Sequence, residues 1–168
     1  MQQETTLDFA PDMTTLATDL GETEQFHQAS NLPHAPQDTL LVVDAAQVPL
    51  SGGTDAAYGE VRWRTLINSC SEKSRDMVLG IAEFEPHGRL LPHRHDPPEF
   101  YLGLEGSGVV TIDGTPHEIR PGVAIYVPAN AEHDTQAGPD GLRFTYGFAE
   151  ASFEQITYRF TAAEEARG

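Results

Sequence analysis

The sequence predicts an all-β sandwich or barrel, and two observations predict it. From residue 39 onward, short apolar or alternating segments recur between Gly, Pro and Asp turns, the cadence of an all-β domain. Asp113-Gly114 separates two of these segments, and that pair signals a hairpin because both residues tolerate the left-handed backbone of a tight two-residue turn. There is no internal repeat and no low-complexity run.

Taken in order, residues 1–38 are polar and irregular. Asp12 to Gln28 is expected as a weak helix, and Asn31 to Gln37, with Pro33 and Pro36, as a linker. This partly helical stretch reads as an N-terminal extension, and residues 39–168 as the β-barrel domain. The expected strands are Leu40–Val43, Val61–Ile67, Val78–Phe84, Glu99–Leu104, Gly108–Ile112, His117–Ile119, Ala124–Val127, Leu142–Phe148 and Gln155–Phe160. Each is three to seven residues of apolar or alternating character closed off by turn formers, the composition of a half-buried strand.

Composition bounds the function. A chain of 168 residues is one domain with an appendage, long enough to bury a core. With 26 acidic residues against 10 basic ones and a formal charge of −16, binding to nucleic acid phosphates or anionic lipid is excluded as an expectation. Met1 to Pro11 lacks a basic and an apolar signal region, and no stretch approaches a membrane span, so a cytoplasmic protein is expected. Cys70 is the single cysteine, so no internal disulfide forms. Its polar setting, N-S-C-S-E-K, argues neither for burial nor for catalysis.

The chemistry concentrates in His93, His95, Glu99 and His133. Residues i and i+2 on a strand share a face, so His93 and His95 are placed to grip one ion. Glu99 re-enters from the next strand after a short turn, and His133 supplies a third imidazole. Imidazole nitrogen and carboxylate oxygen together suit one divalent transition metal, with iron, manganese, nickel, cobalt and zinc all acceptable to the set. His27, His34, His87 and His117 lack such spacing and are expected as hydrogen-bonded or surface histidines. Tyr101 stands two residues after Glu99, so its phenol faces the same interior. Parity leaves two roles open: an aromatic that fills the barrel, or a base whose pKa a nearby divalent cation lowers.

These residues resemble the cupins, small jelly-roll (double-stranded β-helix) barrels with two metal-binding motifs. The first motif, G-x5-H-x-H-x3-E-x6-G, is matched by Gly88, His93, His95, Glu99 and Gly106, one residue short between Gly88 and His93. The second, G-x5-P-x-G-x2-H-x3-N, is matched by Gly122, Pro128 and His133, with Asn130 in place of Gly and Ala137 in place of Asn. Asn is the best substitute for Gly in a left-handed turn, and position 137 is not a ligand. The resemblance spans about residues 58–160.

Within the cupins, H-x-H-x3-E-x-Y, the Gly59-Glu60-Val61-Arg62-Trp63-Arg64 run, Pro128-Ala129-Asn130-Ala131-Glu132-His133 and the closing Ser152-Phe153-Glu154-Gln155-Ile156-Thr157-Tyr158 look like the small dimethylsulfoniopropionate lyases. That resemblance implies a β-elimination with Tyr101 as general base and Tyr158 lining the pocket. It also implies a small substrate carrying an anionic carboxylate, and a homodimer, with the N-terminal extension as a possible exchanged arm. A divalent ion with three neutral His and one Glu carries one net positive charge, which suits a carboxylate. The sulfonium end calls for aromatic faces, for which Trp63, Phe84, Tyr126, Tyr146 and Tyr158 are the candidates. Arg62 and Arg64 flank Trp63 and by parity face away from it, as surface residues. The rival readings are an Fe(II)-dependent dioxygenase using the same four ligands and a non-catalytic ligand-binding cupin. A sugar-phosphate isomerase is disfavoured by the lack of an inward basic cluster.

Overall fold

A computed structural model of the protein describes residues 42–69, 77–162 and 166. The expected helix and linker within 1–38, Leu40, and Cys70 lie outside the described residues. Within them, nine strands follow one another: β1 (Ser51–Asp55), β2 (Gly59–Ile67), β3 (Val78–Phe84), β4 (Arg89–Arg94), β5 (Glu99–Ile112), β6 (Thr115–Ile119), β7 (Ala124–Val127), β8 (His133–Phe148) and β9 (Arg159–Phe160). No helix among the described residues is long and apolar enough to cross a membrane.

The strands close on themselves. β8 pairs with β3, β3 with β2, β2 with β4, and β4 again with β8, so the ladder returns to its start as a barrel. The long strands β5 and β8 run antiparallel along their whole length. β5 carries β7 on its first half and β6 on its second, while β8 meets β4 with its first half and β3 with its second. Both bend at the crossing. Gly106 takes φ 67° there, and a Cβ would stand 2.1 Å from the Gly141 carbonyl oxygen, so glycine is required by the approach as well as by the turn. The expected hairpin is present: Ile112 pairs with Thr115 across Asp113 (φ 46°) and Gly114 (φ 77°).

Several expected boundaries change: the strands expected from Val61 and His117 begin two residues earlier, at Gly59 and Thr115, and others change more. Glu99–Leu104 and Gly108–Ile112 are one strand, and Leu142–Phe148 is the second half of a strand that begins at His133. The glycines that read as terminators only bend the chain. Gln155–Phe160 is mostly not a strand: a 3-10 turn at Phe153–Gln155 precedes a two-residue β9. Of Leu40–Val43, the two described residues are not in a strand. Two strands fall outside the expected segments, although His93 and His95 were expected to share a strand, which β4 supplies only as far as Arg94. β1 (S-G-G-T-D) is an exposed edge with no apolar alternation, and β4 (R-L-L-P-H-R) carries a proline.

The core fills the barrel with alternate residues, among them Val61, Val78, Phe84, Tyr101, Val110, Ile119, Val127, Phe144 and Phe148. Buried with them at one level are His93, His95, Glu99, His133 and Thr135. Polar groups in such a place require partners, and those of the histidines and Glu99 define the site, while the Thr135 hydroxyl has none among the described residues.

Candidate active site

Three imidazoles converge inside the barrel. His93 is on β4, His95 follows its end, and His133 opens β8 opposite His93 in the β4–β8 register. One ring nitrogen from each lies within 4.8 Å of the other two, and each side chain is about 1% exposed. Their orientation is fixed from behind. His93 Nδ1 bonds to the Leu91 carbonyl at 2.8 Å, His95 Nδ1 to the Pro97 carbonyl at 2.8 Å and His133 Nδ1 to the Ala131 carbonyl at 3.0 Å. A carbonyl oxygen only accepts, so each Nδ1 carries the proton and each Nε2 presents its lone pair to the centre. Burial, reinforced by the neighbouring His133, holds the His93 imidazole down to about 3, so it stays uncharged through the neutral range.

Glu99 enters from the start of β5. Its Oε2 is 3.2 Å from His95 Nε2 and 3.5 Å from His133 Nε2, and the Tyr101 hydroxyl donates to that oxygen at 2.8 Å. Burial works to raise the Glu99 carboxyl, yet its close contacts with the His133 and His95 rings outweigh it, and the carboxyl lies below its ordinary value. Those stabilising contacts need positive charge or a proton on Nε2, whereas the backbone carbonyls have already claimed the Nδ1 protons. Among the described residues, His133 Nε2 is buried with no hydrogen-bond partner. A divalent cation resolves this conflict, because it accepts the imidazole lone pairs and the carboxylate oxygen at one point. The donor set fits such an ion.

Beside the cluster lies a cavity of about 180 Å³. Glu99 and Tyr101 contribute to its lining, and the rest of its wall is almost wholly apolar: Trp63, Tyr146 and Tyr158 from the expected set, with Tyr58, Leu90, Phe144, Phe153 and Phe160 beside them. Trp63 packs edge-on to Tyr58 at 5.8 Å, and a Cβ on Gly52 of β1 would strike its ring at 2.4 Å, so β1 backs this wall. Tyr158 stacks on His93 at 5.1 Å and meets His95 edge-on at 5.2 Å.

Two expected pocket residues lie elsewhere. Tyr126 is 66% exposed. The run A-I-Y-V is apolar throughout and hides its phase, but Val127 is fully buried, and alternation sends Tyr126 outward. Phe84 does point inward, but it stacks on Phe144 at 5.6 Å, and Phe144 lines the cavity in its place. Arg62 and Arg64 face outward as parity predicts. Arg62 pairs with Glu85, and Arg64 is half-buried rather than free on the surface, bonded to Glu83 at 2.9 Å and to the Val48 carbonyl. Burial first, then the Glu99 charge, push the Tyr101 phenol well above its ordinary value. Any lowering has to come from positive charge at the histidines.

The missed lining residues differ in legibility. Phe144, Tyr146 and Phe148 alternate along β8, so Phe144 was readable by parity from Tyr146. Tyr58 sits in a turn, and Phe153 in a 3-10 helix, where no periodicity points a side chain.

Comparison with known proteins agrees with this geometry. The cupin domain family matches residues 80–144, which hold all four ligand candidates. Over 147 residues, 88% of this chain and 94% of the relative, the sequence is 68% identical to "Dimethylsulfoniopropionate lyase DddW" of Ruegeria pomeroyi. The chain belongs to the DddW family of cupins. Solved cupin-like structures share its fold at low identity. The polyketide cyclase RemF of Streptomyces resistomycificus superposes with TM-score 0.62 at 24% identity, over 73% of this chain and 86% of that one. A predicted oxalate decarboxylase of Thermotoga maritima gives 0.59 at 18%, over 66% and 99%.

One glycine of this cupin holds the cavity wall in place. Gly80 on β3 faces Tyr146 on β8, and a Cβ there would stand 2.3 Å from the Tyr146 ring and hydroxyl and 2.6 Å from the Arg64 carbonyl oxygen. The ring is buried and lines the cavity, and the carbonyl belongs to a paired strand. Gly80→Ala is therefore expected to destabilise the barrel by about 1–3 kcal/mol, read as a lower urea midpoint at unchanged slope. An unchanged midpoint would mean that the Tyr146 contact is slack.

Proposed function

We infer that this protein is a metal-dependent lyase that cleaves dimethylsulfoniopropionate to dimethyl sulfide and acrylate. The single observation that carries the reading is a buried, oriented three-His cluster with Glu99 and Tyr101 lining an adjoining aromatic cavity, in a chain so similar to DddW. His93, His95, His133 and Glu99 would hold one divalent ion. That ion, when bound, supplies the positive charge that receives the substrate carboxylate and stabilises charge developing beside it.

The chain's own residues then divide the work. The cavity holds no basic side chain, so the carboxylate is directed to the ligand end and the sulfonium to the rings of Trp63, Tyr58 and Phe153. A cation over such faces gains about 0.5–2 kcal/mol. Tyr101 is fixed by its bond to Glu99 and by its contact with Phe144 at 4.4 Å. Positive charge at the histidines is needed to make its phenolate accessible, and the burial that raises the phenol makes that phenolate a strong base. It takes the proton from the carbon next to the carboxylate. The C–H electron pair becomes the new double bond, the C–S pair leaves with sulfur, and neutral dimethyl sulfide departs. The dry walls keep water from the carbanion-like charge and from competing for the proton.

The deciding assay is headspace dimethyl sulfide from protein reconstituted with iron, manganese, nickel, cobalt or zinc, without oxygen. Release is expected with at least one metal and is expected to fall to background on chelation and return on reconstitution. Turnover that appears only when oxygen is admitted would replace elimination by an oxygenase. Silence with all five metals would sink the lyase.

A further inference from the structure

The C-terminal segment after β8 forms one wall of the cavity through Phe153, Tyr158 and Phe160, yet it has little secondary structure to hold it. Its near end is tied by the Ser69 amide to the Ala151 carbonyl and by the Phe153 amide to Asn68 Oδ1 at 3.1 Å. Its far end is β9, two residues paired with β4, too short a strand for independent stability. Side chains make up the difference. Arg159 Nη2 donates to Asp96 Oδ1 at 2.7 Å and to Asn130 Oδ1 at 2.8 Å. Thr161 donates to Glu132 Oε2 at 2.5 Å, an oxygen that also accepts from Arg94 at 3.1 Å.

These anchors are not scattered over the surface. Asp96 follows His95, Glu132 precedes His133, and Arg94 lies between His93 and His95. Asn130 stands at the left-handed position (φ 60°) where the cupin motif has Gly, and its amide nitrogen donates to the His95 carbonyl at 3.0 Å. A glycine there would keep the backbone and offer Arg159 no acceptor. The segment is thus clamped to the residues that frame the imidazoles, and Tyr158, next to Arg159, is the ring laid on His93 and His95.

We propose that Arg159 is a positioning residue for catalysis: by bridging Asp96 and Asn130 it holds Tyr158 against His93 and His95 and so fixes the cavity wall over the cluster. The catalytic consequence rests on the lyase reading, while the clamp itself does not. Because reacting groups tolerate little displacement, a shift of about 1 Å costing as much as 10²-fold, releasing the clamp lowers turnover more than it lowers binding.

The test combines kinetics with backbone exchange. Arg159→Ala is expected to lose about 10- to 100-fold in kcat for dimethyl sulfide release, with a smaller change in KM. Arg159→Lys, whose ammonium can donate to both acceptors as the single Nη2 does but on a shorter, differently shaped side chain, is expected to recover part of the loss. Asn130→Gly, which suits the left-handed backbone, is expected to show a milder defect of the same kind. In a Tyr158→Ala background, Arg159→Ala is expected to cost nothing more, since residues acting as one unit are non-additive. Hydrogen exchange of metal-free protein is expected to speed up across 156–160 in Arg159→Ala and to stay unchanged in β3 and β5. Full additivity with Tyr158→Ala, or unchanged kcat, would overturn the positioning role. If the wild type releases no dimethyl sulfide, the lyase reading fails, and unchanged exchange across 156–160 would then overturn the clamp.

Discussion

Tyr101→Phe is expected to leave a folded, metal-binding barrel that has lost about 10²- to 10⁴-fold of its dimethyl sulfide release, the range attached to a positioned general base. The substitution removes one oxygen from a ring that is 2% exposed and packed on Phe144, so the volume change is small. Glu99 loses the donor at 2.8 Å but keeps its contacts to His95 and His133. Loss of a hydrogen bond to a charged group costs about 1.5–3 kcal/mol, within what a domain of this size tolerates. Metal content by mass spectrometry of the native protein separates the two roles that parity left open. A variant that binds metal with wild-type stoichiometry, keeps KM within a few-fold and loses kcat identifies the base. A variant that keeps kcat identifies Tyr101 as filler and reassigns proton removal, with Tyr158 as the other cavity phenol beside the histidines.

How much of this was legible in the chain depends on whether the decisive contact is local. His93, His95 and Glu99 fall within seven residues, and strand alternation with one short turn is enough to bring them together. His133 was legible because Asn130 tolerates the turn ahead of it. Asp113-Gly114 fixed a hairpin by backbone preference alone. Phase failed where a strand is apolar on both faces, as at Tyr126, and strand ends failed where glycine bends a strand without ending it, as at Gly106 in β5 and Gly141 in β8. The cavity was the least legible part. Tyr58, Leu90, Phe153 and Phe160 reach it from a turn, a proline-bearing strand, a 3-10 helix and a two-residue strand, and no sequence period relates them. The Arg159 clamp depends on contacts to Asp96 and Asn130, 63 and 29 residues away, which composition and spacing do not encode.

Glu99→Gln is expected to act in opposite directions on the metal-free and metal-loaded protein. In the metal-free barrel the Nδ1 protons of His95 and His133 are given to backbone carbonyls, so Glu99 Oε2 faces their Nε2 lone pairs at 3.2 and 3.5 Å. Acceptor faces acceptor in a site almost closed to water. A glutamine of the same shape turns a donor toward His95 or His133 and removes a buried charge, so the metal-free variant is expected to be more stable than the wild type by about 1–2 kcal/mol. The loaded protein reverses the order. Glutamine offers a neutral oxygen where the ion gained a full negative charge, so affinity drops steeply and the thermal shift produced by metal shrinks with it, because stabilisation by a ligand follows its concentration relative to its dissociation constant. Urea midpoints of wild type and variant, with chelator and with saturating metal, should therefore cross. Parallel loss of stability in both conditions would show that Glu99 is held by protonated histidines in the metal-free state and that the imidazoles are not oriented by their Nδ1 bonds alone. The crossing would show that the acceptor-lined centre is poised for a cation, beside a Tyr101 hydroxyl bonded to the same carboxylate oxygen.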